Sequence, residues 1–304
     1  MVAEVLALLA PCTRVVDGTL GGGGHTLALL EAGKSVIGVD RDPNAQAAAG
    51  ERLAAFRESG RFTLVPATFA EFAESAAQHG AFDGVLLDLG VSSHQFDDGA
   101  RGFSFREGAP LDMRMSYGPG AGASMMTARD VLNESDEDEL VRIFRDYGDE
   151  PKARRLAHEL VRRRGNRLFE TSDDFVGAIR AVLGPRSGPS EFARLFQALR
   201  IAVNDELGEL ARALAAFRDG LAPGGVFAVI SYHSGEDRLV KHAFREWSLS
   251  CVCPPKQFMC TCRGKALGEV LTRKAVNATA EETARNSRAR SAHLRAWQKA
   301  RAED

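Results

Sequence analysis

The chain lacks several features that would assign its class at once. It has no run of about eighteen apolar residues and no signal-peptide pattern, which predicts a soluble, cytoplasmic protein with no membrane partner. No internal repeat or low-complexity tract is evident. Its formal net charge is only −2, which alone argues against a nucleic-acid partner. Two nucleotide signatures are also missing. The dinucleotide fingerprint needs glycines at its first, third and sixth positions, but Gly21 and Gly23 are followed by Thr26. The phosphate loop needs Gly-Lys-Ser/Thr, but Gly23-Gly24 runs into His25. With no basic residue in the turn, a polyphosphate is poorly matched.

What is present is a strand–loop–helix–strand unit. A β-branched run ending in Asp17 opens into Gly18-Thr-Leu-Gly-Gly-Gly-Gly24, and an amphipathic segment, Thr26 to Leu30, leads to a second strand, Ser35 to Asp40. Glycines let backbone N–H groups approach a ligand closely, and Asp40 can accept both hydroxyls of a ribose. A ribose-bearing ligand without phosphates, S-adenosylmethionine, fits better than a nucleotide. The competing reading is an ordinary strand-to-helix connection that happens to be glycine-rich. Phe62 to Val65 reads as a third strand and Phe82 to Asp88 as a fourth. The Pro-Gly-Gly turn within Leu221 to Ile230 resembles the lead into the fifth strand of S-adenosylmethionine-dependent methyltransferases. These strands, alternating with helical pattern, predict a doubly wound α/β sheet.

At 304 residues and 44% hydrophobic, the chain can bury a full core and is expected to form two lobes. The gap from Asp88 to Val226 is far longer than one crossover helix requires. Its pattern predicts helices over Leu140–Phe144 with Ser135 as cap, Pro151–Arg163, Phe175–Leu183 and Phe192–Phe217. The expected organisation is a discontinuous catalytic domain, residues 1–100 and 201–304, with an all-helical insertion, residues 101–200, acting as a lid that recognises a macromolecule. Splitting the charge by segment supports such a substrate. Residues 130–150 carry nine acids against two bases, whereas residues 151–200 and 256–304 each carry eleven bases against five acids. Basic faces of this size can neutralise several phosphates, although solvated faces with internal ion pairs give the same count.

Four of the five cysteines cluster as Cys251, Cys253, Cys260 and Cys262. Two Cys-X-Cys pairs across a short loop can wrap a tetrahedral, structural zinc or stay as free thiols, and the spacing departs from the usual Cys-X₂-Cys knuckle. Asp88 ends the fourth strand where a methyl acceptor would sit, and it can either hold the protons of an exocyclic amine, with Ser92 nearby, or only contact the cofactor. Arg101, Phe103 and Arg114 belong to segments dense in groups that stack on bases and pair with phosphates, or that pack at a hinge. His233, beyond the fifth strand, is a candidate general base or a structural histidine.

Together, Gly18–His25, Val39-Asp-Arg-Asp-Pro43, Leu87-Asp-Leu-Gly-Val-Ser-Ser93, Arg101-Gly-Phe-Ser-Phe105, Leu111-Asp-Met-Arg-Met115, Tyr147-Gly-Asp-Glu150, Phe196–Asn204 and Ile230-Ser-Tyr-His-Ser234 resemble the RsmH (MraW) family. The resemblance continues through Leu271–Lys274 and Arg288–Ser291 and so covers nearly the whole chain. It implies a Rossmann-like class I methyltransferase sheet with an inserted helical domain. The implied reaction is methylation of the N4 amine of a cytidine in small-subunit ribosomal RNA near the decoding centre, on naked RNA or the assembled small subunit. It places S-adenosylmethionine against Gly23, Gly24, His25, Asp40, Phe69, Asp88 and Gln95. Substrate contacts are expected from Arg101, Phe103, Arg114, Arg154, Arg155 and Arg194. Three departures stand out: Met1-Val-Ala-Glu-Val-Leu6 where the family has a His-X-Pro-Val-Leu lead, Ser190-Glu-Phe-Ala-Arg194 where it has His-Pro-Ala-Thr-Arg, and Gly235 where it has leucine. Rival readings are a methyltransferase of the same fold on another acceptor, and a non-catalytic ribosome assembly factor that binds the cofactor.

Overall fold

The computed structural model describes residues 1–90, 99–115, 126–254, 257 and 259–302. The chain divides into two compact units, Met1–Gly90 with Leu207–Asp304, and Val91–Glu206. The first unit opens with α1 (Val2–Leu8). Then strands β1 (Arg14–Asp17), β2 (Ser35–Asp40), β3 (Phe62–Pro66) and β4 (Gly84–Asp88) alternate with α2 (Gly24–Glu31), α3 (Pro43–Arg52), α4 (Ala54–Glu58) and α5 (Phe69–Ser75). The β-branched runs become strands because both their faces are covered. Val16, Ile37, Val85 and Leu87 pack on one side of the sheet, and Val15, Val36 and Leu86 on the other.

The unit Val91–Glu206 is helical: α6 (Ala128–Glu134), α7 (Glu137–Arg142), α8 (Ala153–Arg164), α9 (Ser172–Leu183) and α10 (Pro189–Asn204). Its core joins Leu156 and Leu160 of α8 to Phe175 of α9 and Phe196 of α10, with Phe175 and Phe196 ring centroids 5.1 Å apart. Two expectations are corrected here. The cap of α7 is Asp136 rather than Ser135: its carboxylate accepts the Glu139 N–H at 2.7 Å, while Ser135 still closes α6. The apolar stretch Phe192–Phe217 is two helices, because Asp205 adopts a left-handed conformation (φ 49°) between α10 and α11 (Glu206–Gly220).

Buried polar groups tie the helical unit together. The Asn204 side chain accepts the Met115 N–H at 2.7 Å and donates to the carbonyls of Met113 at 2.8 Å and Arg200 at 2.9 Å. Thus Asn204 links the end of α10 to the Leu111–Met115 segment, where Met113 has a φ of 60°. After α7 the chain widens into a π-type turn, Ile143–Tyr147. The buried Glu150 that follows pairs with Arg194 of α10 at 2.5 Å, and Arg194 also donates to the Gly148 carbonyl.

Returning to the first unit, α11 precedes β5 (Val226–Ser231), and α12 (Ser234–Trp247) follows it. Three strands come last: β6 (Gly268–Val270), β7 (Val276–Asn277) and, after α13 (Ala280–Arg285), β8 (His293–Lys299). The sheet order is β3-β2-β1-β4-β5-β8-β6. Strands β1 to β5 run parallel, and β8 lies antiparallel against the full length of β5. The result is a doubly wound, mostly parallel sheet closed on one side by antiparallel strands. The order reverses between β1 and β4, and in such sheets ligands bind at the carboxyl ends beside that reversal. In the sequence, the last segment stands out only as a basic tract. Yet Leu294, Ala296 and Trp297 of β8 are fully buried.

Replacing Asn204 with alanine leaves the buried Met115 N–H and Met113 carbonyl without their partner, at about 1–3 kcal/mol for each buried group. Urea unfolding of Asn204→Ala should show the helical unit destabilised by at least about 2 kcal/mol. A transition unchanged from wild type would show that this link does not hold the unit.

Candidate active site

Three acids end three neighbouring parallel strands, β2, β1 and β4, and each is satisfied differently. Asp17, at the end of β1, is 1% exposed. The Thr26 hydroxyl of α2 donates to its Oδ2 at 2.6 Å and the Thr19 N–H to its Oδ1 at 3.2 Å. Burial pushes the Asp17 carboxyl up, and the Thr26 bond opposes that shift. Asp17 is therefore a clamp that fixes the glycine turn to the start of α2. The turn itself needs glycine at Gly21 (φ 50°) and at Gly23 (φ 76°), the N-cap of α2. At Gly24 a Cβ would meet nothing within 4 Å, so this backbone faces open space where a ligand can approach.

Asp40 ends β2. Its Oδ2 accepts the Gly21 N–H and its Oδ1 the Asp42 N–H, both at 2.8 Å. Burial raises its carboxyl above the usual range, and the two backbone donors hold it back. Each oxygen retains a lone pair, so a pair of hydroxyl donors can still be received. Phe69 opens α5 just after β3 and is half-buried, its Cβ close to the glycine turn at Gly18.

Asp88 ends β4. The Tyr232 hydroxyl donates to its Oδ1 at 2.8 Å, and His25 Nδ1 lies 3.4 Å from its Oδ2. The backbone N–H of Asp88 donates to Thr19 Oγ1 at 2.6 Å, joining β4 to the glycine turn. Burial and then the Asp88 charge push the Tyr232 phenol far above its ordinary range, so it stays a neutral donor. For His25, burial works against the imidazolium, but the Asp88 hydrogen bond and the charges of Asp88 and Asp17 outweigh it, and the net shift is upward. His25 Nε2 is buried with no hydrogen-bond partner, which a bound ligand would supply. Tyr232 and Thr19 support Asp88 although no sequence motif marks them for that role. The only available signal was position, since each lies just beyond a strand that ends at this edge.

Other candidates fall elsewhere. Ser92 and Gln95 lie outside the described residues. His233 is the N-cap of α12, its Nδ1 accepting the Glu236 N–H and its Nε2 3.1 Å from Glu236 Oε1. Arg101 and Phe103, expected at an RNA surface, are 2% and 7% exposed. The Arg101 guanidinium lies over the Phe103 ring and donates to the carbonyls of Arg114 and Met115. Burial thus removes both from the set of base-stacking residues. Arg194 is likewise committed to Glu150 and Gly148, and half-buried Arg114 makes a two-point pair with Asp112 at 3.0 and 2.7 Å. Arg154 and Arg155 are exposed on α8. Farther along the same helix, Arg162 and Arg163 pair with Glu159. The sulfurs of Cys251, Cys253, Cys260 and Cys262 all lie within 4.8 Å of one another.

The raised His25 sets a sign for pH. A histidine that holds its proton more tightly when folded adds stability in full below its unfolded value of about 6.5. That contribution is lost as pH rises through the raised folded value. Denaturation at about pH 5.5 should therefore separate wild type from His25→Asn more widely than at about pH 9. A gap independent of pH would contradict the His25–Asp88 pairing.

Comparison with known proteins shows what the chain is similar to. The sequence matches the model of the MraW methylase family over residues 1–300. A protein of Gemmatimonas aurantiaca named Ribosomal RNA small subunit methyltransferase H is 61% identical over 301 residues, covering 99% of this chain and 94% of its own. One of the same name from Heliobacterium modesticaldum is 46% identical, covering 98% and 96%. Among solved structures, an rRNA methylase from Streptococcus thermophilus aligns over 99% of this chain and 94% of its own, at 10% identity and a TM-score of 0.41. With the family's model matched over residues 1–300, the chain belongs to the MraW methylase family.

Proposed function

We propose that the protein transfers a methyl group from S-adenosylmethionine to the N4 amine of a cytidine in small-subunit ribosomal RNA, near the decoding centre, in the cytoplasm. The names of its relatives and its family membership support the substrate class. The observation that carries the chemistry is the Asp88 carboxylate, fixed by Tyr232 and His25 at the carboxyl edge of the sheet.

The residues present fit the cofactor. Gly23, Gly24, His25, Asp40, Phe69 and Asp88 would hold it, with Gln95 as a further contact. The open backbone at Gly24 and the unpartnered His25 Nε2 favour a ligand in this turn, and no lysine is present to demand phosphate. S-adenosylmethionine supplies a methyl already activated on a sulfonium. The protein's task is then alignment. The lone pair of an exocyclic amine is delocalised into its ring, so the amine is a weak nucleophile. A carboxylate that accepts the amine's N–H bonds turns the lone pair out of conjugation and toward the methyl. Asp88 can do this because the Tyr232 and His25 contacts fix its plane while leaving lone pairs open. After transfer the surplus amine proton moves to the Asp88 carboxylate or to water.

The helical unit is proposed to receive the RNA through exposed arginines such as Arg154 and Arg155, whose contacts to phosphate would carry affinity without sequence preference. A cytidine within folded RNA must be splayed out for its amine to be reached.

Asp88→Asn keeps size and removes the anionic acceptor. Single-turnover methyl transfer should fall at least about a hundredfold while RNA affinity stays unchanged, and calorimetry on the cofactor alone separates weakened cofactor binding from lost alignment. Wild-type turnover in Asp88→Asn would sink the proposed role. For the RNA surface, Arg154→Ala combined with Arg155→Ala should weaken binding and lower the salt slope by about two. An unchanged slope would remove this face of α8 from the interface.

A further inference from the structure

The segment between α12 and β6 carries a cluster that methyl transfer does not use. Residues 249–266 contain no helix, strand or buried side chain among the described residues. They are pinned at one end by the Leu267 N–H donating to the Trp247 carbonyl at 2.8 Å. Arg263 adds a brace, bonding the Glu246 carboxylate at 2.7 Å and the Leu249 carbonyl at 3.1 Å. A stretch of this length without secondary structure is uncommon in a compact domain, and with no core of its own it needs another means of holding its shape.

The sulfurs supply one. Cys260 Sγ lies 3.8 Å from Cys251 Sγ, 3.8 Å from Cys253 Sγ and 3.4 Å from Cys262 Sγ, and the Cys251–Cys262 separation is 3.8 Å. Zinc–thiolate bonds are about 2.3 Å long, so a tetrahedron of sulfurs around zinc has edges of about 3.8 Å. A disulfide framework would single out one partner for each cysteine. Here Cys260 has three sulfurs at comparable distances, which is the arrangement of four ligands about a centre. The Val252 N–H donates to Cys262 Sγ at 3.3 Å, a contact that favours the thiolate a metal requires.

We propose that Cys251, Cys253, Cys260 and Cys262 bind one zinc ion as a tetrahedral tetrathiolate that holds the loop between α12 and β6 in shape. Four thiolates select a soft-to-borderline metal over magnesium or calcium, and they leave no open position for a substrate or water. The site is structural and independent of the methyl acceptor. Binding releases the four thiol protons and leaves a dianionic centre.

The test uses the full-length protein purified without chelator or added metal. Elemental analysis should find about one zinc per chain, released only as a mercurial titrates four thiols. Replacement by cobalt(II) should give the intense thiolate-to-cobalt absorption of a four-sulfur site. Removing zinc should speed amide exchange across residues 249–266 while β5 stays protected. Cys260→Ser combined with Cys262→Ser should lose the metal. Protein that holds no zinc as purified and takes up none when supplied would overturn the proposal. So would zinc retained by the double variant, or iron found in its place.

Discussion

Three carboxylates end neighbouring strands at one edge of the parallel sheet, two of them largely taken out of water, and the unit that carries them is organised around supplying each with hydrogen-bond donors. Asp17 gives up access to solvent and ligand and is held by hydrogen bonds from Thr26 and Thr19. Asp40 is held by two backbone N–H groups, one from the glycine turn. Asp88 retains access, with Tyr232 and His25 fixing its orientation. The glycine turn contributes to all three, through Thr19, Gly21 and the start of α2. Its conformation is therefore set by electrostatics as much as by a need for small residues.

The helical unit solves a different problem, joining irregular segments to a helical core without stranding polar groups. Asn204 closes on Met113 and Met115, Arg101 on the carbonyls of Arg114 and Met115, and Glu150 on Arg194. Residue types that usually meet nucleic acid are here internal ties. This narrows the basic surface to positions such as Arg154 and Arg155, whose side chains remain exposed.

How far sequence could be read depended on whether a signal was local. Strands β1, β2 and β4 were legible because buried parallel strands are short, nearly uninterrupted apolar runs, each ended here by an acid, and β3 because its apolar run Phe62 to Val65 falls between helical patterns. Asp88 was legible for the same reason, since it ends a strand, whereas His25 lies inside the first turn of α2 and was marked only by the family resemblance of the glycine loop. Strand β8 was not, because its Arg295, Gln298 and Lys299 alternate with buried residues and the segment scans as basic. Its placement comes from pairing with β5, which no local pattern records. The break at Asp205 was hidden because a single left-handed residue leaves the apolar spacing of Phe192–Phe217 almost undisturbed. Arg101 and Phe103 misled because an arginine beside an aromatic looks the same whether it packs on its neighbour or on a base.

The account rests on a cytidine amine being the nucleophile presented to Asp88. The most direct measurement is methyl transfer from labelled S-adenosylmethionine to small ribosomal subunits taken from cells lacking the enzyme, followed by mass analysis of the nucleosides. The account predicts N4-methylcytidine at a single site. Label on another base or on protein would contradict the acceptor, and no label on subunits, precursors or naked RNA despite measurable cofactor binding would contradict catalysis itself.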